Sequence, residues 1–168
     1  MKSVLISIQP KWCYLIAHGE KTLEVRESKP KLETPFKVYI YCTKDKNGWF
    51  DFGKKERLDG KVIGEFVCDS IRAFDVPYPA FQREMDKAIL DESCLTYYQL
   101  HRYAYHDKLY AWHISNLKIF NKPKPLSLFH KVGYTNTKES VFGWTVEEEK
   151  SWQINRPPQS WCYVEELP

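Results

Sequence analysis

The segment Gly19–Arg26 gathers three side chains whose types and spacing suit chemistry. Glu24 and Arg26 stand two residues apart in an alternating segment, so they share one face of a strand, about 6.6 Å apart along it. Lys21 stands at the start of that strand, next to a turn at Gly19. Lys and Arg hold phosphate or polarise a carbonyl group, and Glu accepts from a base amino group or takes a proton. The segment therefore predicts either a binding cleft or a catalytic site.

Two plainer interpretations of the same residues stay open. Paired charges on a solvent-facing strand are common and contribute little to stability. Alternatively, Glu24 and Arg26 pair with each other or with tail residues such as Arg156 and fix the tail to the body. Several aromatic side chains offer faces on which bases stack, or they simply pack in the core. These aromatic residues are Trp12, Tyr41, Tyr110 and Trp112.

A family resemblance is carried by two stretches, Ile6–Trp12 and Gly19–Arg26. The second has the pattern G-x-K-x-x-E-x-R after a strand and a short helix, and it resembles the signature of the ASCH domain, a branch of the PUA-like superfamily. A later strand at Gly60–Glu65 and a helix at Thr96 fall where that family places them. The resemblance covers residues 3–122, and the tail at Arg156–Cys162 is similar to the ends of bacterial and phage-encoded members.

The resemblance implies an α+β fold, a small mixed PUA-like β-barrel with two or three short helices at its rim. It also implies a cleft between the first helix and the barrel that binds RNA or a nucleobase or nucleoside ligand. The ligand-binding residues we expect are Lys11, Trp12, Lys21, Glu24, Arg26 and Tyr41.

Some members of that family hydrolyse N4-acetylcytidine with the signature Lys, a Thr three residues later and a downstream Glu. Lys21 matches the first position, Glu24 occupies the Thr position, and Glu92 is the candidate for the third. The resemblance thus offers an amidohydrolase as an alternative function, with Lys21, Glu24 and Glu92 as catalytic residues. Ribonuclease activity, reported for other members, is a further alternative.

The elements that position these residues must come from one domain of 168 residues and 20.0 kDa. We expect a core at residues 3–122 and a C-terminal extension at 123–168 that docks on it. An aromatic content of 15% excludes a disordered chain. No apolar run reaches the roughly 18–20 residues of a membrane helix, and no signal peptide is evident. The sequence predicts a soluble, cytoplasmic protein.

Metals and cofactors are not expected. The five cysteines form no C-x-x-C motif and the histidines lack the spacing of metal ligands, so free thiols in a reducing compartment are predicted. No Walker or dinucleotide-binding motif occurs. The net charge is +3, with +5 in residues 1–61 and −2 in residues 62–168. A basic N-terminal part suits a phosphate backbone but also an ordinary solvated surface.

The hydrophobic pattern predicts a strand at Val4–Ile8, a helix from Pro10 that ends at Gly19, and a helix that begins at Thr96 with a capping box. Gly64 suggests a bulge within a long strand at residues 60–71. Further strands are predicted at 21–27, 37–43 and 109–119, a turn at 44–48, a helix at 81–89, loops at 91–93 and 131–140, and a docked tail at 153–164.

Overall fold

The structure is a computed structural model that describes residues 1–45, 58–76, 86–104, 108–138 and 145–168. Three helices are present in this part of the chain: α1 (Pro10–Ala17), α2 (Lys87–Ser93) and α3 (Tyr97–Tyr103). A 3-10 turn spans Leu126–Leu128. The strands are β1 (Lys2–Ile8), β2 (Leu23–Arg26), β3 (Phe36–Cys42), β4 (Lys61–Cys68), β5 (Ile71–Asp75), β6 (Lys108–His113), β7 (Ser115–Lys124), β8 (His130–Lys138), β9 (Thr145–Gln153) and β10 (Trp161–Glu165).

Within the described residues the strands form two open sheets. One has seven strands in the order β7-β4-β3-β1-β10-β8-β9, and the other has three in the order β2-β6-β5. The α+β class and the short helices are therefore confirmed. The closed barrel that the resemblance implies is not found among the described strands, because β7 and β9 stand at opposite edges of the large sheet.

Strand β1 is the centre of the large sheet. It pairs in parallel with β3 and antiparallel with β10, so neither of its edges is free. Val4, Ile6 and Ile8 contribute to one apolar cluster, whereas Leu5 contributes to a second. This alternation places apolar side chains on both faces of the strand, as expected for a strand that is covered on both sides.

The small sheet carries the segment that is rich in charged residues. Glu24 of β2 pairs with Trp112 of β6, and Arg26 pairs with Tyr110. A third apolar cluster lies behind this sheet and includes Val25, where it meets the two later helices. The other members of this cluster are Val76, Ile89, Leu100 and Leu109. Helices α2 and α3 are thereby held against the sheet that carries the charged side chains.

The elements near the N-terminus follow the sequence pattern closely. Pro10 opens α1, and Gly19 ends the turn after it with φ of 73°. Gly64 lies at a register irregularity between β4 and β7, which confirms the predicted bulge. A Cβ atom there would lie 2.6 Å from the carbonyl oxygen of Lys118, so glycine permits the close approach of the two strands.

Other predicted elements were wrong or fall elsewhere. Residues 91–93 belong to α2, and residues 131–138 form most of β8, because the pairing of β8 with β9 satisfies a polar backbone that has little apolar patterning. Pro123 lies within β7, an edge strand of the large sheet, where proline is tolerated. The predicted strand at 60–71 covers β4 and reaches the first residue of β5, and the predicted strand at 109–119 overlaps both β6 and β7. Positions 46–48, 81–85 and 139–140 lie outside the described residues.

Candidate functional site

Lys21 is a buried lysine at the entrance of β2, with only 2% of its surface exposed. The turn at Gly19 returns the chain so that the backbone N–H groups of Glu20 and Lys21 both donate to the carbonyl of Leu15. The Lys21 ammonium Nζ then donates to the carbonyl oxygen of Ser93 at 2.7 Å. Burial lowers the pKa of Lys21, and the nearby Glu24 carboxylate opposes that shift.

Glu24 is the centre of a small ionic network. Its Oε2 lies 3.4 Å from Lys21 Nζ, and its Oε1 lies 2.9 Å from Arg26 Nη2. Glu24 is 6% exposed, so two cations share one carboxylate that water barely reaches. The predicted proximity of the three signature side chains is thus present as direct contacts. Such a network is costly to desolvate and is weak evidence of a purely stabilising role.

Arg26 connects this network to the large sheet. Its Nη2 also donates to the carbonyl oxygen of Ser7 on β1 at 2.6 Å. The Nε of Arg26 is buried and has no hydrogen-bond partner among the described residues. A buried N–H without a partner is uncommon in folded proteins, and its desolvation is costly.

These three side chains line a cavity of about 800 Å³. Trp12 of α1 forms part of its wall, and the tail contributes Gln159 and Ser160. Helix α3 supplies a further wall through side chains on one face, spaced at i and i+3 or i+4: Gln99, Arg102 and Tyr103. The charged side chains of the lining are three cations and two carboxylates, so its formal charge is modestly positive. They are Lys21, Arg26, Arg102, Glu24 and Glu27. The volume falls within the range typical of small-molecule sites.

The remaining predicted site residues lie in different places. Lys11 lies over the Trp12 ring at 4.6 Å from the ring centroid and is not among the residues that line the cavity. Tyr41 is 3% exposed and packs in the second apolar cluster, where burial raises its pKa. The alternation of β3 places Tyr41 on the face that packs in this cluster, so it does not reach the cavity.

Glu92 does not place its carboxylate at the site. Its side chain is exposed on α2, and the structure brings only its backbone carbonyl close, as acceptor for the Thr22 N–H at 2.9 Å. The next residue, Ser93, provides the carbonyl that binds Lys21. Helix α2 therefore supports the site through backbone atoms, which a search for acidic side chains does not detect.

Sequence reasoning missed the walls formed by α3 and the tail. The capping box at Thr96 identifies α3, and the structure confirms it, but the box carries no information about which face of the helix meets β2. The motif Arg156–Trp161 marks a docked tail without indicating where it docks. Both walls depend on contacts between residues that are distant in sequence.

Several other features bear on the class of site. Among the described residues, no group of three or more His, Cys, Asp or Glu side chains is arranged to hold a metal ion. The five cysteines are free thiols, and burial raises the pKa of Cys68 to about 12 and that of Cys162 to about 11. None of the described helices has the length and apolar character needed to span a membrane.

Sequence comparisons with protein-family models and with curated proteins give no match. Comparison with solved structures gives a crystal structure of an ASCH protein from Zymomonas mobilis, with a TM-score of 0.61 and 20% identity. The match covers 98% of this chain and 88% of that one. Two variants of the same protein, one Tyr-to-Phe and one Ser-to-Ala, also match with TM-scores of 0.61. They are 19% and 18% identical, with 99% and 98% of this chain covered and 92% and 89% of theirs.

Proposed function

This chain has the fold of the ASCH domain, within the PUA-like class that its signature residues predict, and from that premise we propose that it binds a nucleobase. The base belongs either to a free or modified nucleoside or to single-stranded RNA. The observation that carries the proposal is the buried Glu24 carboxylate, held between Lys21 and Arg26 against a cavity of about 800 Å³.

The chemistry of the cavity matches the edge of a base. Glu24 accepts hydrogen bonds from exocyclic amino or ring N–H groups, and the guanidinium of Arg26, which lines the cavity and is 11% exposed, is a donor for a carbonyl oxygen or ring nitrogen. A base presents such donors and acceptors side by side in one plane. A cavity that offers a carboxylate beside a guanidinium therefore favours a planar ligand of mixed polarity over an apolar one.

Aromatic and cationic side chains complete the fit. Tyr103 is 37% exposed and lines the cavity, so its ring is available to stack on a base. Arg102 lies in the same wall and is exposed, which suits a ribose phosphate at the opening. The modest positive charge of the lining is enough for one phosphate group and falls short of what a long duplex needs.

The test is a calorimetric titration of the full chain with nucleosides, N4-acetylcytidine and short single-stranded RNAs. Glu24→Gln is expected to lower affinity at least tenfold, since the amide loses the charged acceptor. Glu33→Gln makes the same change at an exposed position outside the cavity and is expected to bind like wild type. Because Glu24→Gln also unpairs two buried cations, Tyr103→Ala provides a second variant at an exposed position. Wild-type chain that binds none of these ligands would reject the proposal.

A second candidate is hydrolysis of an amide on such a base, which the buried Lys21 beside Glu24 favours. A lowered pKa raises the fraction of neutral lysine that takes a proton from water. The water oxygen would attack the acetyl carbonyl of N4-acetylcytidine, the C–N bond would break, and the amino group would gain a proton to give cytidine and acetate. Product from wild type and none from Lys21→Ala is the expected result. Equal product from both would remove Lys21 from the chemistry.

A further inference from the structure

The segment between β9 and β10, residues 154–160, forms one wall of the cavity. Gln159 and Ser160 from this segment line the same space as Lys21, Glu24 and Arg26. The segment begins after strand β9 ends at Gln153 and returns at Trp161, the first residue of β10. A tail residue and the signature residues, more than 130 positions apart, therefore face one ligand space.

Hydrogen bonds fix this wall to β1, the strand whose Ser7 also binds the Arg26 side chain. The Ser7 hydroxyl donates to the carbonyl oxygen of Pro158 at 2.7 Å, and the Ser7 N–H donates to the carbonyl oxygen of Ser160 at 2.9 Å. The Ser7 carbonyl accepts from Arg26 Nη2. Ser7 thus sets the distance between the backbone on either side of Gln159 and the guanidinium of Arg26.

The far end of the segment is fixed by Trp161. Its Nε1 donates to the Ser28 hydroxyl at 3.1 Å, just after β2, and its ring lies 6.0 Å from that of Trp112. Two prolines, Pro157 and Pro158, restrict the backbone before Gln159. The position of Gln159 is therefore defined on both sides, although its side chain is exposed.

The Gln159 side-chain amide is available to a ligand. It makes no hydrogen bond to any other residue that the structure describes. Gln99, in the wall formed by α3, differs because its Oε1 accepts from the N–H and hydroxyl of Thr96 in the capping box. An amide carries both a donor and an acceptor, so it pairs with the edge of a base in a way that depends on which base is present.

The charged residues by themselves select poorly among bases. Lys21 donates to Glu24 and Ser93, and Glu24 is shared by Lys21 and Arg26, so much of their hydrogen-bonding capacity is already used. We propose that Gln159 is the specificity-determining residue of this site, through hydrogen bonds between its side-chain amide and the edge of the bound base. This inference rests on the proposed function and adds the residue that distinguishes one base from another.

The test compares affinity ratios rather than affinities. Wild type, Gln159→Glu and Gln159→Ala are titrated with adenosine, guanosine, cytidine, uridine and N4-acetylcytidine, and with short single-stranded RNAs of one base each. Gln159→Glu replaces the amide donor by an acceptor, so the ratio between the best and the second-best base is expected to change about tenfold or more. Gln159→Ala is expected to bring the affinities closer together.

The matched control is Gln153→Glu, the same change on strand β9. The Gln153 amide donates to the carbonyl of Ser127 and is not among the cavity-lining residues, so this variant is expected to keep the wild-type ratios. If Gln159 only shaped the cavity, its replacement would lower the affinity for every ligand by a similar factor. Unchanged ratios in both Gln159 variants, with wild-type binding that still depends on Glu24, would overturn this inference alone. Absence of any wild-type binding would overturn the proposed function with it.

Discussion

The ammonium group of Lys21 donates to the carbonyl oxygen of Ser93 at 2.7 Å, across 72 positions of sequence. The bond joins the start of β2 to the last residue of α2, at the end of the helix where carbonyl groups lack partners within the helix. A cation at that end is also favoured by the helix dipole. Lys21 thus contributes to the packing of a helix as well as to the lining of the cavity.

Replacement of Lys21 by Ala is therefore expected to lower stability as well as ligand affinity. The change removes the donor to Ser93 and one cation from Glu24, and loss of one partner of a buried pair costs about 3 kcal/mol. Urea denaturation followed by circular dichroism measures the free energy of unfolding. Lys29→Ala, at an exposed position after β2, is the matched control and is expected to change it by less than about 0.5 kcal/mol. A similar small loss in Lys21→Ala would contradict the structural role.

The pH dependence of stability is expected to report the same burial. The folded-state pKa of Lys21 lies below the ordinary lysine value of 10.5, so the folded state gives up this proton more readily than the unfolded state. Stability then rises with pH in the window between the folded pKa and about 10.5. The difference in unfolding free energy between wild type and Lys21→Met is the quantity to measure, because other ionisations cancel in it. A difference that stays flat from neutral pH to 10.5 would contradict the direction of the shift.

A side chain at Gly64 is expected to destabilise the fold. In Gly64→Ala the new Cβ would lie 2.6 Å from the backbone carbonyl of Lys118, so β4 and β7 must separate, at a cost of about 1–3 kcal/mol. Gly133→Ala is the control, since its Cβ would meet only the tip of the exposed Trp152 side chain at 2.8 Å, which can turn away. Thermal unfolding of the two variants makes the comparison. Equal melting temperatures would show that the two strands separate at little cost.

Removal of β10 is expected to abolish cooperative folding. Deletion of residues 161–168 exposes the edge of β1 and takes Val164 and Cys162 from the second apolar cluster. Deletion of residues 166–168 alone leaves the strand in place and is the control, although it removes the Lys37–Glu166 ion pair at 2.6 Å. Thermal unfolding and size-exclusion chromatography distinguish the two. A sharp transition in the longer deletion would mean that β1 is stable with β3 as its only neighbour.

The sequence predicted the local geometry well and the long-range geometry poorly, for physical reasons. Helices α1 and α3 were predictable because their ends are set by local backbone geometry and hydrogen bonds. The residues responsible are Pro10 and Gly19 for α1 and the Thr96 capping box for α3. Lys21, Glu24 and Arg26 came together because one turn and one short strand set their spacing. The strand at residues 130–138 was missed because it gains its stability from pairing with β9 and has little apolar patterning of its own.

The misplaced residues of the site show the same limit. Glu92 was chosen for its carboxylate, but α2 turns that side chain to solvent and presents backbone carbonyls to the site. Tyr41 alternates with Ile40 and Cys42 along β3, and which face meets the cavity depends on the neighbouring strands. Gln159 reaches the cavity only because β10 pairs with β1. No local pattern in the sequence contains that information.

The pairing of Lys2 with Glu165 has a consequence for synthesis on the ribosome. Ribosomes add about 5–20 residues per second, so β1 leaves the exit tunnel on the order of ten seconds before its partner β10. Through that interval the nascent chain carries an apolar strand with an unpaired edge, which is the kind of surface that chaperones bind and aggregates grow from. The large sheet, and with it the wall that contains Gln159, is completed only after β10 has been synthesised and has paired with β1.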